Sequence, residues 1–218
     1  SIIKFTGTGV AGSVSHGLTQ KPDFIMAKNL DAGNDWPVHH SSLTGPTYTM
    51  YLNGNALSAV ETLIWPSAST NSLINIGSGA VVNGNTNSTI LYAWHNVPGV
   101  QKFGKYAGND SSDGPFIELG FRPALIIIKG MDFAADWFIF DDKRIGINPT
   151  EQYLLSNSYA ATGGTAVPID FLSSGFKVRF GTAGYINNDW TPTQYNFVYA
   201  AWAHQPMNNL YGGQSNAR

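Results

Sequence analysis

The chain has 218 residues, 43% of them hydrophobic and only 12% charged, with a net charge of −2 and no cysteine. This length and apolar share allow one large domain or two small ones around a buried core. Without cysteine there are no disulfides, thiolate metal sites or cysteine nucleophiles, and without a basic run phosphate-driven binding to nucleic acid is not expected.

In chain order the elements read as strands. The opening SIIKFTGTG lacks the long apolar stretch of a signal peptide, and no run approaches 18 apolar residues, so no membrane insertion is expected. PDFIMAK (22–28) is a short apolar run behind a proline, which suits a strand start. A tight DAGN turn leads to a second strand in NDWPVHH (34–40), making a hairpin. ILYAWHNV (90–97) is aromatic and β-branched and reads as a central strand. PALIIIK (123–129) and ADWFIFDD (135–142) repeat the hairpin around a DFAA turn. LLSNSYAA (154–161) has the composition of a helical turn. SGFKVRFG (174–181) alternates Phe176, Val178 and Phe180 with Lys177 and Arg179, a strand with one wet face. FVYAAWAH (197–204) is a second central strand. Solubility comes from Asn, Gly, Ser and Thr, and these residues punctuate the chain at the spacing of a sandwich.

The chain is internally duplicated. LTQKPDFIMAKNLDAGNDW (18–36) aligns with LGFRPALIIIKGMDFAADW (119–137) at an offset of 101, with seven of nineteen pairs identical. Downstream, LYAWHNVPG (91–99) meets YAAWAHQPM (199–207) at an offset of 108, so the second copy has seven net extra residues, expected around 183–196. The expected organisation is a first β repeat at 1–98, a second at 99–207 and a polar tail, NNLYGGQSNAR, at 208–218. The fold class expected is all-β: an antiparallel β-sandwich, lectin-like or jelly-roll-like, internally duplicated, with minimal helix. Two sandwiches and one fused sandwich are both compatible with the pattern.

Five groups of residues invite a functional reading. The repeated phrase D-x-x-x-D-W places Asp35 beside Trp36 and Asp136 beside Trp137, which suits a sugar platform. Its presence in both copies, inside the strand pattern, points instead to a hairpin framework. GNDSSDG (108–114) opens like a calcium loop, but its twelfth position is Gly120 and supplies no closing acid. His39 and His40 are adjacent and face opposite ways on a strand, and His95 and His204 lie at strand ends; no metal site is expected. Glu118, Asp141, Asp142, Glu151 and Asp170 include no obvious pair for glycoside hydrolysis. No cofactor and no catalytic residue is assigned, and the chain is expected not to be an enzyme. The fifth group lies where the copies differ in length: Tyr185, Asn187, Asn188, Asp189, Trp190 and Tyr195, amides and a carboxylate among aromatics, suited to binding glycan or a neighbouring subunit.

The second copy, YAGND…IELGFRPALIIIK…DWFIFDDKR…YLLSNS…DFLSSGFKV…YAAWAHQP, resembles a repeat of bacteriophage tail-fibre and related virion proteins. The resemblance covers nearly all of 102–207. A weaker form covers 4–98, where YLNGN and LYAWHNVP fit and HHSSL stands in place of the expected Phe-Asp and basic residue. It implies a virion surface protein, at a tail tip or fibre, with a role in host attachment. The implied partners are further copies of the chain, as a homotrimer, other virion proteins, and a host-surface polysaccharide or receptor. A structural virion component and a capsule depolymerase are the alternatives.

Overall fold

The computed structural model describes residues 1–164, 167–179, 185–187, 189–190 and 193–204. The chain divides into two compact units, Ser1–Asn96 and Val97–Arg218. Each is an antiparallel sandwich with its own core, so the all-β expectation holds.

The first unit contains β1 (Ile2–Thr6), β2 (Gly12–Ser15), β3 (Phe24–Asn29), β4 (Pro37–His40), β5 (Tyr48–Tyr51), β6 (Ala59–Val60), β7 (Leu73–Ile76) and β8 (Ser88–Trp94), with one short helix, α1 (Ala80–Asn83). Six of the strands form a sheet in the order β1-β8-β3-β4-β5-β6, and β2 pairs with β7. Along β8, Thr89, Leu91 and Ala93 are fully buried while their neighbours are half-exposed, the period of two that a one-sided sheet requires. Leu91 and Ala93 meet Ile25 and Ala27 of β3, Ile74 and Ile76 of β7, and Trp65 in one core.

The second unit contains β9 (Gln101–Ala107), β10 (Phe116–Glu118), β11 (Pro123–Gly130), β12 (Trp137–Asp141), β13 (Leu154–Leu155), β14 (Ile169–Phe171), β15 (Gly175–Val178), β16 (Asp189–Trp190), β17 (Thr193–Gln194) and β18 (Asn196–Ala203). A five-stranded sheet, β13-β12-β11-β18-β9, packs on a three-stranded one, β10-β15-β14. Ile126, Ile128, Phe138, Phe140, Phe176 and Phe197 fill the layer between them. Phe176 and Val178 are fully buried while Lys177 and Arg179 keep 21% and 42% of their side chains exposed, as the alternation predicts; Phe180 lies outside the described residues. The glycine that opens β15 has a packing reason. A Cβ on Gly175 would stand 2.0 Å from the Ile117 carbonyl oxygen, so only glycine lets β15 approach β10.

Two local expectations change. LLSNSYAA is not helical: Leu154 and Leu155 pair with Ile139 and Phe138 as an edge strand. Among the described residues the one helix is α1, which places Val82 and Asn83 in the core. The tail at 208–218 lies outside the described residues.

Candidate functional site

The repeated phrase proves to be a staple that closes the same hairpin in each unit. Asp31 accepts the Ser88 N–H at 2.6 Å, and Asp132 accepts the Asn196 N–H at 2.9 Å, so each ties the hairpin turn to the start of the last strand. Asn53 accepts the Trp36 N–H at 2.9 Å and donates to Asp35 at 2.8 Å. Asn157 accepts the Trp137 N–H at 3.1 Å and donates to Asp136 at 2.6 Å. Lys28 donates to the Asn34 carbonyl, and Lys129 donates to the Ala135 carbonyl at 2.6 Å. The two tryptophans differ in exposure. Trp137 is buried, 2% exposed, and offers no face to a ligand. Trp36 is half-buried, with the Lys28 ammonium 5.6 Å above its ring.

These shared bonds locate the extra residues of the second copy, and they are not all where the sequence pattern put them. Ser41 and Asp142 are equivalent, each donating its N–H to a carbonyl where the first hairpin strand begins (Asp23, just ahead of β3, and Ala124, the second residue of β11). Twelve positions separate Ser41 from Asn53, and fifteen separate Asp142 from Asn157. Three of the seven extra residues therefore enter between β12 and β13. The other four enter between Asn187 and β18, since Asn83 precedes Ser88 by five positions and Asn187 precedes Asn196 by nine.

The base of that second insertion is framework. Asn187 is 2% exposed; its Oδ1 accepts the Asn109 N–H at 2.9 Å and its Nδ2 donates to Ser111 O at 2.9 Å. Asn83 makes the matching bonds in the first unit, from Thr8 N–H at 2.9 Å and to Val10 O at 2.7 Å. Asn187 thus leaves the set of ligand candidates. It plugs the turn after β9 through both ends of its amide, which a substituent of that shape does best when buried. Next to it, the Tyr106 hydroxyl donates to Ile186 O at 2.6 Å, and burial holds that phenol well above its ordinary pKa.

Beyond this base, Asp189–Trp190 pairs with Thr193–Gln194 as a small hairpin, with Asp189 opposite Gln194 and Trp190 opposite Thr193. Tyr185 is 49% exposed, its ring 5.8 Å from that of Phe138. Tyr195 is half-buried, its ring 4.8 Å from that of Phe133. Asn188 lies outside the described residues. Of the six residues, Tyr185 and the Asp189–Trp190 strand remain as ligand candidates; Asn187 and Tyr195 support them.

The other groups are engaged within the fold. GNDSSDG is a turn in which the Asn109 side-chain Oδ1 accepts the Ser111 N–H and Asp113 pairs with Lys177 at 2.7 Å, an ammonium that lowers the Asp113 pKa. Among the described residues no group of three His, Asp or Glu side chains could hold a metal ion. His39 and His40 belong to one strand; His39 Nδ1 donates to Tyr48 O at 3.1 Å while His40 Nδ1 accepts the Ser42 N–H at 3.0 Å. Burial pulls the His39 pKa down. His95 bonds Asn96 O through Nδ1 at 2.8 Å. Glu118 holds Ser174 and Gly120, and Asp170 pairs with Arg179 at 2.5 Å.

One cluster escaped the sequence reading. Arg122 precedes β11, Asp142 follows β12 and His204 follows β18, and these three chain ends meet. His204 Nδ1 lies 2.5 Å from Asp142 Oδ2, and the His204 N–H donates to Arg122 O at 2.9 Å. Arg122 and Asp142 line a cleft of about 220 Å³. In the first unit the aligned positions are Lys21, Ser41 and Asn96. The usable signal was this change of chemistry at matched positions, which a search for shared motifs passes over.

Residues 1–206 match the model of a domain of unknown function, DUF7483. The chain belongs to that family. No curated protein and no solved structure matches it. The DUF7483 match spans both units, so the duplicated pair, rather than one sandwich, is the family's unit.

Proposed function

We propose that this DUF7483 chain is a non-enzymatic virion surface protein, a tail-fibre or receptor-binding module that attaches to polysaccharide or an outer-membrane component of the host surface. It works as a homo-oligomer, a trimer, beside other virion proteins. One observation carries the reading. The polar side chains common to both units hold backbone within their own unit, while the length differences add chain at two connections only. A duplicated rigid frame with altered connections is how a binding module diversifies. Aromatic and carboxylate residues in one of those connections, Asp189 and Trp190, suit hydroxyl-rich ligands.

The test is binding of the labelled chain to a panel of bacterial cells and their purified surface polysaccharides. Selective binding is expected, with a loss of at least tenfold in both Trp190→Ala and Asp189→Ala. Unchanged binding in both variants removes the hairpin from the site. Absence of binding across the panel would favour a second reading, a structural virion component. That reading has its own support in Leu57, Val60 and Leu63, which are 49%, 56% and 61% exposed at and around the edge strand β6. Exposed apolar residues at a sheet edge suit burial against a neighbouring subunit.

A further inference from the structure

The lengthened connection between β12 and β13 lines a cleft in the second unit. It measures about 220 Å³, and its lining includes Arg122, Asp142, Ile145, Ile147, Asn148 and Thr150. Its walls are fixed before any ligand arrives. Asn148 accepts the Phe171 N–H at 3.0 Å and donates to Phe171 O at 2.9 Å. Arg122 Nη1 donates to the same oxygen at 3.1 Å. Asp141 caps the preceding turn by accepting the N–H groups of Lys143 and Arg144, both at 3.0 Å, and pairs with Arg144 Nε at 2.5 Å. Thr150 and Ile169 exchange backbone bonds of 2.7 and 3.0 Å on the far side. A cleft held this way gives up little ordering entropy on binding.

Its electrostatics point to an anionic group. Asp142 is already matched by His204 at 2.5 Å and Lys143 at 3.6 Å. Arg122, by contrast, has no carboxylate in ion-pair reach among the described residues, and one carbonyl takes one of its donors. An open guanidinium fork beside a paired carboxylate favours a ligand that brings a carboxylate of its own. The volume falls below the roughly 300–1,000 Å³ of drug-sized pockets, which leaves room for one small unit. Ile147, 74% exposed, and Ile145 offer apolar contact at the rim.

We propose that this cleft binds a single hexuronic acid unit of a host-surface polysaccharide, with Arg122 taking the sugar carboxylate and Asp142 accepting a ring hydroxyl. The assignment rests on the host-attachment reading above. It confines the subsite to the second unit, because Lys21 and Ser41 stand at the matching positions of a connection three residues shorter in the first.

The experiment is a titration of the isotope-labelled 218-residue chain with glucuronate, glucose and acetate, followed by amide NMR. Glucuronate should shift the amides of Arg122, of residues 145–148 and of Thr150 saturably, with glucose and acetate each at least tenfold weaker. Arg122→Gln should weaken glucuronate at least tenfold, Arg122→Lys should weaken it less, and Lys105→Gln, at an exposed position of β9, should leave it unchanged. The amide spectrum also shows that each variant is folded. Acetate binding as tightly as glucuronate, shifts confined to other residues, or unchanged affinity in Arg122→Gln would each overturn the assignment. The polysaccharide panel separates the two proposals. Attachment to neutral polysaccharides alone, lost in Trp190→Ala, sinks the cleft and keeps the attachment role. Glucuronate bound at the cleft with no polysaccharide or cell bound sinks the attachment role and keeps the cleft.

Discussion

Trp137→Ala should destabilise the second unit by about 3–5 kcal/mol, the range for emptying a large buried aromatic, while Trp36→Ala should cost the first unit less than half as much. The two residues occupy the same place in the same phrase and in the same hairpin. They differ in burial: Trp137 is 2% exposed, whereas Trp36 is half-buried with Lys28 over its ring. Removing Trp137 leaves a cavity that Phe138 and its neighbours cannot close, because their strand register is fixed on both sides. Removing Trp36 surrenders a partly wet surface and one cation–π contact, worth about 0.5–1 kcal/mol at an exposed site. Urea unfolding, with hydrogen exchange read separately on β3–β4 and β11–β12, measures both. Equal losses in the two units would show that burial does not set the cost.

The second large effect concerns pH. Lys129 is fully buried, and burial pushes its ammonium down to about 8 from an ordinary 10.5, with Asp136 acting in the opposite sense. In the unfolded chain the same group titrates at its ordinary value. Between about pH 8 and pH 10.5 the unfolded state therefore holds more protons than the folded one, and stability rises with pH across that window. Below pH 8 both states are protonated and the cost of burying the ammonium, about 3 kcal/mol, is present in full. Raising the pH from 8 to 9.5 should add about 1.5 kcal/mol to the unfolding free energy of the second unit. Lys129→Met should abolish that gain. The same gain in the Met variant would mean that another group is responsible.

Much of the frame was legible because it is local or written twice. Hairpin strands β3–β4 and β11–β12 follow from apolar runs around a turn, and the repeated acids and tryptophan mark them. What stayed hidden depends on contacts distant in sequence. Asn187 reads as a loop amide, and only the fold shows that it closes a turn nearly eighty residues earlier, as Asn83 does in the first unit. Helix α1 has four residues between glycines, too few for any helical period to register. Leu154 and Leu155 carry helix propensity, yet pairing with β12 overrides it. The divided insertion was missed because Asn53 and Asn157 are matched by their bonds to Asp35 and Asp136 rather than by the letters around them. The Arg122–Asp142–His204 cluster joins three chain ends that only the sheet order brings together.

The central claim is that the shared phrase is frame and that binding resides where the second copy is longer. A chimera tests it most directly: residues 143–152 replaced by the first copy's 42–48, and residues 188–195 replaced by its 84–87. Both connections then have the first copy's length, and the staples made by Asp132, Asn157 and Asn187 are untouched. Hydrogen-exchange protection of β11, β12 and β18 should persist while polysaccharide binding falls at least tenfold. Binding within twofold of the parent, in a chimera that keeps that protection, would contradict the claim.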